Sequence, residues 1–274
     1  MRTYRSTVEK VSTSPTKLGE VLFLMTKFER PLLLEACYKG AVWLQKEGKG
    51  KILKARSTEI VVNPKDIVSF FYEAHILKLP ELTQAECLFE NEYYGVWVKE
   101  AGVVPQGTQT GDHSSLLRYV EKQKKKPVYL IHRLDRETRG IMLVGYRSEA
   151  AAKLSDLFVK NNIQKTYEAI VLGETIKAQT INHSLDGKEA ISHVEVIEAK
   201  EGLAHVRIKI DTGRLHQIRR HLEIIGHPVM GDPKYGKGNK NRDGLRLIAT
   251  ELSFEDPWSN KSATYTLKSG YNLS

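Results

Sequence analysis

Cysteine and long apolar runs are both scarce in this chain of 274 residues. The two cysteines, Cys37 and Cys87, lie far apart and form no Cys-x-x-Cys pair. The sequence therefore predicts neither a disulfide framework nor a zinc knuckle, and a reducing, cytoplasmic setting is expected. Because no apolar run approaches the length of a membrane span, no membrane partner is expected either.

The usual signatures of phosphate loops and metal sites are missing too. The glycines of "GHPVMGDPKYG", residues 226–236, are not followed by the lysine and hydroxyl of a Walker loop, so we interpret them as turn residues. His216 and His221 are five positions apart, which separates them by about 140° on a helix, whereas zincin-type ligands are spaced by four. We expect no metal and no cofactor.

Basic residues, by contrast, are in excess. Lysine and arginine number 42 against 33 aspartates and glutamates, which gives a formal net charge of +9 at pH 7. Such an excess favours a polyanionic partner, and nucleic acid is preferred over a membrane surface because no basic amphipathic anchor is visible. The alternative is that the charge serves solubility alone.

Composition divides the chain into four segments. Residues 1–16 are predicted to be a flexible tail, and residues 17–76 a small, locally basic domain. Residues 77–84, which contain a proline between two modest segments, are the candidate linker. Residues 85–274 form the predicted larger domain.

The predicted small domain carries a cluster of basic side chains around two glycines. This pattern predicts an exposed hairpin tip that can contact phosphate groups. A solvated loop without a ligand is an equally good interpretation. The cluster comprises Lys46, Lys49, Lys51, Lys54 and Arg56.

The predicted larger domain alternates strand and helix patterns, with strands in the majority. Ser148 is the candidate cap of its first helix. The strands come in hairpins, so the predicted class is α+β around a mainly antiparallel, mixed sheet, preceded by a small α/β domain. The segments are the strands 140–146, 165–173 and 245–257, the hairpin 193–213, and the helices 148–160 and 213–226.

The stretch "HRLDRETRG", residues 132–140, concentrates opposed charges around Asp135. Arg133 and Arg136 flank this aspartate, and nearby cations favour an ionised carboxylate. An ionised carboxylate can act as a nucleophile or stabilise a developing cation. On spacing alone, a structural salt-bridge loop is equally compatible with the pattern.

The stretch "GRLHQIRRH", residues 213–221, is a cationic entry to a helix. Arg214 and Arg219 suit an anion there, either a phosphate or a protein carboxylate. His216 is interpreted as a polar packing residue or an RNA contact. A solvated basic helix is the alternative.

Three stretches in order resemble the signatures of the RluA-type family of RNA pseudouridine synthases. "HRLDRETRG" resembles its His-Arg-Leu-Asp motif, "KTYEAIVLG" its Lys-x-Tyr segment, and "GRLHQIRRHLEIIGHPVMGDPKYG" its Gly-Arg-x-His-Gln-Ile-Arg motif. The resemblance spans roughly residues 85–258. The N-terminal part is similar to the S4-like RNA-binding domain that often precedes this catalytic domain.

The resemblance implies a monomeric enzyme of the pseudouridine synthase fold that isomerises uridine to pseudouridine in ribosomal or transfer RNA, without metal or cofactor. Asp135 would be the nucleophile, and Arg219 its partner. Tyr167 would pack on the target base and is a candidate for helping to remove the carbon 5 proton. Arg133 would fill in for the flipped nucleotide. The remaining implied substrate contacts are His132, Arg214, His216 and Ile218.

Three positions depart from the family pattern. Arg139 replaces the serine of Thr-Ser-Gly, Glu100 replaces the proline of Lys-Pro-Ala-Gly, and Ile248 stands where histidine is common. We interpret Arg139 as an extra phosphate contact. The first two departures suggest, as an alternative function, a non-catalytic RNA-binding protein on a synthase scaffold. A nucleoside hydrolase is discouraged because glycosidases use two carboxylates.

Overall fold

The computed structural model describes residues 3–8 and 14–270 and separates into two compact units. Unit 1 comprises Met1–Gln84 and Gln106–Gln123, and unit 2 comprises Ala85–Pro105 and Lys124–Ser274. None of the helices in the described ranges has the length and apolar character required to cross a membrane.

Unit 1 contains, in its described part, a four-stranded antiparallel sheet with the order β1-β6-β3-β4 and a small pair of strands, β2 and β5. Its apolar core includes Leu18 and Leu22 of one helix and Leu33 and Cys37 of the next. The elements are β1 (Thr3–Val8), β2 (Thr16–Lys17), α1 (Leu18–Thr26), α2 (Arg30–Tyr38), β3 (Val42–Gln45), β4 (Ile52–Lys54), β5 (Val61–Val62), β6 (Ile67–Glu73), α3 (Ala74–Leu77) and α4 (Leu116–Lys124), whose last residue belongs to unit 2.

Part of the predicted flexible tail is a strand, because β1 pairs antiparallel with β6. Threonine and tyrosine suit a pleated, half-exposed strand, so the hydroxyl-rich composition that indicated a tail is also compatible with pairing. Residues 1, 2 and 9–13 of the predicted tail lie outside the described residues.

The predicted linker, residues 77–84, falls within unit 1, where Leu77 is buried in the core. Residues 106–123 also belong to this unit. They are held by Asp112, whose carboxylate accepts hydrogen bonds of 2.8 Å and 2.6 Å from the Arg56 guanidinium. The boundary between the two units therefore differs from the one predicted from composition. Contacts between residues that are distant in sequence determine which segments belong to each unit.

The predicted basic hairpin exists as β3 and β4, joined through a short 3-10 helix, but its five cations are not alike. Lys49 and Lys51 are exposed. Lys54 and Arg56 instead form half-buried ion pairs with Asp112 at 3.2 Å and 2.6 Å. The prediction of an exposed cluster is wrong for these two residues, since a carboxylate distant in sequence neutralises them.

Unit 2 is built, in its described part, on a ten-stranded sheet. The strand order is β12-β13-β14-β11-β15-β10-β8-β7, with β16 beside β15 and β9 beside β10. The elements are β7 (Cys87–Glu90), β8 (Tyr94–Lys99), β9 (Tyr129–Leu130), β10 (Arg139–Gly145), α5 (Ser148–Val159), β11 (Gln164–Leu172), β12 (Gln179–Asn182), β13 (Ile191–Lys200), β14 (Leu203–Ile210), α6 (Gln217–Ile224), β15 (Leu247–Glu255) and β16 (Ser262–Thr266).

The predicted α+β class with a mainly antiparallel, mixed sheet is confirmed. The described pairs of this sheet are antiparallel apart from β10 and β15, which run parallel. The predicted hairpin is β13 and β14, and the predicted buried strand is β10. Helix α5 begins at Ser148 itself after an extended Arg147, so the prediction that Ser148 caps this helix is wrong.

Gly140 lets β10 come close to β15. It has a φ of 136°, and a Cβ atom there would lie 2.4 Å from the carbonyl oxygen of Ala249. Only glycine fits this approach without a shift of the backbone. The loop that carries Asp135 is thereby fixed to the strand that starts at Leu247.

Candidate active site

All predicted site residues of unit 2 except His132 line one small cavity. The cavity has a volume of about 110 Å³ and lies between the loop before β10, strand β11 and the start of α6. His132 lines the adjoining cavity instead. The predicted residues that line the small cavity are Arg133, Asp135, Tyr167, Arg214, His216, Ile218 and Arg219.

The buried Arg219 guanidinium links two carboxylates. Its Nε and Nη2 donate to Asp232 at 2.7 Å and 2.8 Å, and its Nη1 donates to Asp135 at 3.2 Å. Burial alone would lower the pKa of Arg219, but the hydrogen bonds to Asp232 and Asp135 raise it. Arg219 therefore stays charged and presents one N–H edge to Asp135.

Asp232 is the principal partner of Arg219 and its role was not predicted. Its side chain is fully buried and also accepts hydrogen bonds from the backbone amides of Lys234 and Tyr235. Although burial acts to raise the pKa of Asp232, these hydrogen bonds lower it. Asp232 lies in the stretch "GHPVMGDPKYG". Because turn formation accounts for the glycines of this stretch, the sequence alone assigns no role to this aspartate.

His216 lies between Asp135 and Tyr235. Its backbone is left-handed (φ 52°), which turns the chain into α6. Nδ1 is 3.0 Å from the Tyr235 hydroxyl, and Nε2 is 3.7 Å from Oδ2 of Asp135. Burial lowers the pKa of His216, so the ring is neutral at pH 7 and adds polarity rather than charge beside Asp135.

Tyr167 forms another wall of the cavity from strand β11. Burial raises its pKa, and the nearby Asp135 charge raises it further, so the hydroxyl is protonated at neutral pH. The pairing of β11 with β15 shifts register between Thr166 and Tyr167, where Thr250 is the extra residue of β15. This β-bulge helps to set the direction in which Tyr167 points.

Lys99 at the end of β8 holds the loop that follows Asp135. Its buried ammonium donates to the carbonyl oxygens of Glu100, Val103 and Arg136 at 3.0 Å, 2.8 Å and 3.0 Å. Burial lowers the pKa of Lys99 to about 8. The sequence gives a signal for this role, since a lysine that ends an apolar strand needs buried acceptors.

Arg139 and Glu100, which both depart from the family pattern, pair with each other. The Arg139 Nε donates to the two Glu100 carboxylate oxygens at 2.9 Å and 3.1 Å. Glu100 thus engages the Nε of Arg139, and the phosphate contact stays a prediction. The two departures compensate each other in charge.

Other predicted residues hold structural positions around the site. His132 accepts a hydrogen bond of 2.9 Å from the Leu143 amide at Nε2, and burial lowers its pKa to about 3. Arg214 donates from Nε to the carbonyl oxygen of Glu189 at 2.8 Å. Within the described ranges, no cluster of three or more histidine, cysteine or acidic side chains is arranged to hold a metal.

Residues 93–224 match the model of the RNA pseudouridylate synthase family. A Bacillus subtilis protein, the uncharacterized RNA pseudouridine synthase YhcT, is 32% identical over 68% of this chain and 74% of its own length.

Two further relatives carry names that state a substrate. Ribosomal large subunit pseudouridine synthase D of Pseudomonas aeruginosa is 34% identical over 64% of this chain, which spans 63% of that protein's length. The tRNA pseudouridine synthase C of Vibrio parahaemolyticus is 28% identical over 65% of this chain and 87% of its own length.

A solved structure supports the same fold. Human RNA Pseudouridylate Synthase Domain Containing 1 superposes with a TM-score of 0.59 at 21% sequence identity. The match covers 70% of this chain and 86% of the human one. The predicted fold is therefore confirmed.

Proposed function

Because the chain belongs to the RNA pseudouridylate synthase family, we propose that it isomerises specific uridines of ribosomal or transfer RNA to pseudouridine. The observation that carries this proposal is the Asp135 carboxylate, held 3.2 Å from Arg219 in a cavity walled by Tyr167. The names of the Pseudomonas and Vibrio relatives support the two substrate classes.

The reaction begins with extrusion of the target uridine, because its glycosidic bond is out of reach in a stack. Asp135 acts as the nucleophile that allows the bond between N1 and the ribose to break. The freed uracil turns, its carbon 5 bonds to the ribose as Asp135 leaves it, and the proton on carbon 5 leaves while N1 gains one. No oxidant or second substrate is required.

Arg219 and Tyr167 serve this chemistry in different ways. Arg219 orients the Asp135 carboxylate through its hydrogen bond, and Asp232 in turn fixes Arg219. Tyr167 offers a flat face to the pyrimidine. Its raised pKa favours packing and hydrogen bonding over removal of the carbon 5 proton by a phenolate.

Arg133 and Arg214 are proposed to contact the RNA, with Arg133 taking the place of the extruded nucleotide. Arg133 is exposed beside the cavity. Ile218 would pack beside the uracil, and His132 and His216 would support the walls of the site.

Release of hydrogen from carbon 5 of labelled uridine in total RNA tests the activity. We expect release by the wild-type chain and none by Asp135→Asn, with RNA affinity nearly unchanged, because the amide cannot act as a nucleophile. Asp156→Asn, an exposed change on α5, is the matched control. No release by wild type on any cellular RNA under single-turnover conditions would contradict the proposal, and free uracil would indicate a hydrolase.

The competing function, RNA binding without catalysis, was suggested by Arg139 and Glu100. Their mutual ion pair explains both residues without any change at Asp135. We propose in addition that the S4-like region of residues 17–76 binds RNA, through exposed residues such as Lys49 and Lys51. A monomeric state and a cytoplasmic location stay predictions.

A further inference from the structure

A second, larger cavity adjoins the catalytic cavity in unit 2. Its volume is about 500 Å³, against about 110 Å³ for the catalytic one. This volume lies in the range of roughly 300–1,000 Å³ that is usual for ligand sites. The two cavities share lining residues, so a ligand of one touches the wall of the other. The shared residues are Arg133, Tyr167, Ile210, Gly213 and Arg214.

The charges of the larger cavity are of one sign. Arg133, Lys165 and Arg214 line it, and none of its lining residues is acidic. By contrast, the catalytic cavity contains the Asp135 carboxylate. The larger cavity is therefore lined by cations without a carboxylate beside them, which favours an anionic group.

Lys165 is the buried cation of this cavity. The residue is only 7% exposed, and its Nζ reaches the carbonyl oxygen of Asp211 at 3.5 Å. The Asp211 carboxylate is turned to His193 instead, at 2.9 Å. A buried ammonium with one long contact to a neutral acceptor is well suited to a phosphate.

Ring and apolar side chains form another part of the cavity wall. The neutral His132 ring stacks on Phe158 with a centroid distance of 4.4 Å and an angle of 23° between planes. Val159 follows at the end of α5 with 80% of its surface exposed. Such a wall suits the face of a nucleobase.

We propose that this cavity binds a second unstacked nucleotide, the immediate neighbour of the target uridine, with its base near Phe158 and Val159 and its phosphate near Lys165. The proposal rests on the proposed action on RNA. It narrows the substrate to uridines in loops, bulges or single strands, where a neighbouring base can also leave its stack.

The probe is the fluorescein-labelled pentanucleotide AAUAA, in which an abasic ribose replaces each adenosine in turn, with affinity measured by anisotropy. We expect about a tenfold loss for one of the two positions beside the uridine, since stacking of a base is worth about that much, and less than a twofold loss for the other. Equal losses at all positions, or no binding of AAUAA, would overturn the proposal.

A substitution in the protein, Val159→Asp, gives a second test of the proposal. Because Val159 is largely exposed, the variant should fold, and the added carboxylate should weaken AAUAA binding about tenfold through repulsion of phosphate. It should also remove the difference between AAUAA and the sensitive abasic probe. Ile197→Asp is the matched control, an exposed apolar residue on β13 outside the cavity.

If Val159→Asp behaves like Ile197→Asp, the proposal is wrong. Hydrogen release from labelled RNA by the wild-type chain separates this result from failure of the proposed function. Release without any positional effect would leave a synthase that lacks this second site. A positional effect without release would leave a nucleotide site on a protein that does not isomerise uridine.

Discussion

Two ion pairs of unit 2 differ in burial. Arg219 and Asp232 are both buried, and a second N–H edge of Arg219 reaches Asp135. Arg139 and Glu100 are partly exposed and 2.9 Å apart. Exposed pairs contribute little to stability, whereas breaking a buried pair leaves an uncompensated charge. The departure from the family pattern therefore lies at the ion pair whose loss costs less stability.

Asp232→Asn should give the largest effect, because it removes the main partner of a buried guanidinium. We expect a loss of about 3–5 kcal/mol in the free energy of unfolding, measured by urea denaturation, together with loss of turnover. The control is Asp186→Asn, which breaks the exposed pair with Arg220 on the same helix and should change little. Equal losses in the two variants would remove the distinction between buried and exposed pairs.

Lys99→Met should give an intermediate effect. The substitution keeps the length of the side chain but leaves three carbonyl oxygens without their donor, at a cost of about 1–3 kcal/mol. One of these carbonyls belongs to Arg136, which directly follows Asp135. We therefore expect the position of Asp135 to be disturbed, so that kcat falls while KM for RNA is unchanged. Lys160→Met, an exposed change, is the control. A purely structural role would lower stability and leave kcat of the folded fraction intact.

The pH dependence of stability should report Lys99 directly. Its folded pKa is lowered to about 8, whereas an unfolded lysine titrates near ~10.4. The buried ammonium therefore destabilises the fold below about pH 8, and this penalty is relieved as the pH rises towards ~10.4. We expect the stability of wild type, relative to Lys99→Met, to increase over this range in urea titrations. A decrease would mean that nearby carboxylates stabilise the ammonium.

Arg139→Ser should give the smallest effect. We expect a loss of about 0–1 kcal/mol, and a double-mutant cycle with Glu100→Ala should give a coupling energy in the same range. RNA affinity and its dependence on salt should be unchanged, because Arg139 is engaged by Glu100. A decrease of about one in the slope of affinity against salt would show that Arg139 contacts a phosphate after all.

Periodicity predicted the framework of unit 2 well. The hairpin of β13 and β14 follows from two segments in which apolar and polar residues alternate, and β10 from an apolar run bounded by glycines. Strand β1 was missed because its hydroxyl-rich sequence lacks a strong apolar pattern. The extent of unit 1 was also missed, since contacts of Asp112 with Arg56 join segments distant in sequence.

The site was predictable only in part. The motif resemblance selected Asp135, Tyr167 and Arg219, and the structure brings them to one cavity. Local sequence could not indicate that Arg219 is shared between Asp135 and Asp232, because the sharing depends on the fold of a distant turn. Local sequence also could not indicate which three carbonyl oxygens accept hydrogen bonds from Lys99, because the fold brings them to this side chain.

The bulge at Thr250 has a consequence for the side chains of β15 in this chain. One additional residue of β15 separates the partner of Thr166 from the partner of Tyr167, and the Thr250 hydroxyl donates to the Thr166 carbonyl oxygen at 3.3 Å. Because Ala249 and Glu251 pair with consecutive residues of β11, the extra residue lets them face opposite sides of the sheet although they are two positions apart. A one-residue insertion or deletion elsewhere in β15 would place the side chains of part of this strand on the opposite face of the sheet, including those that pack beside the site.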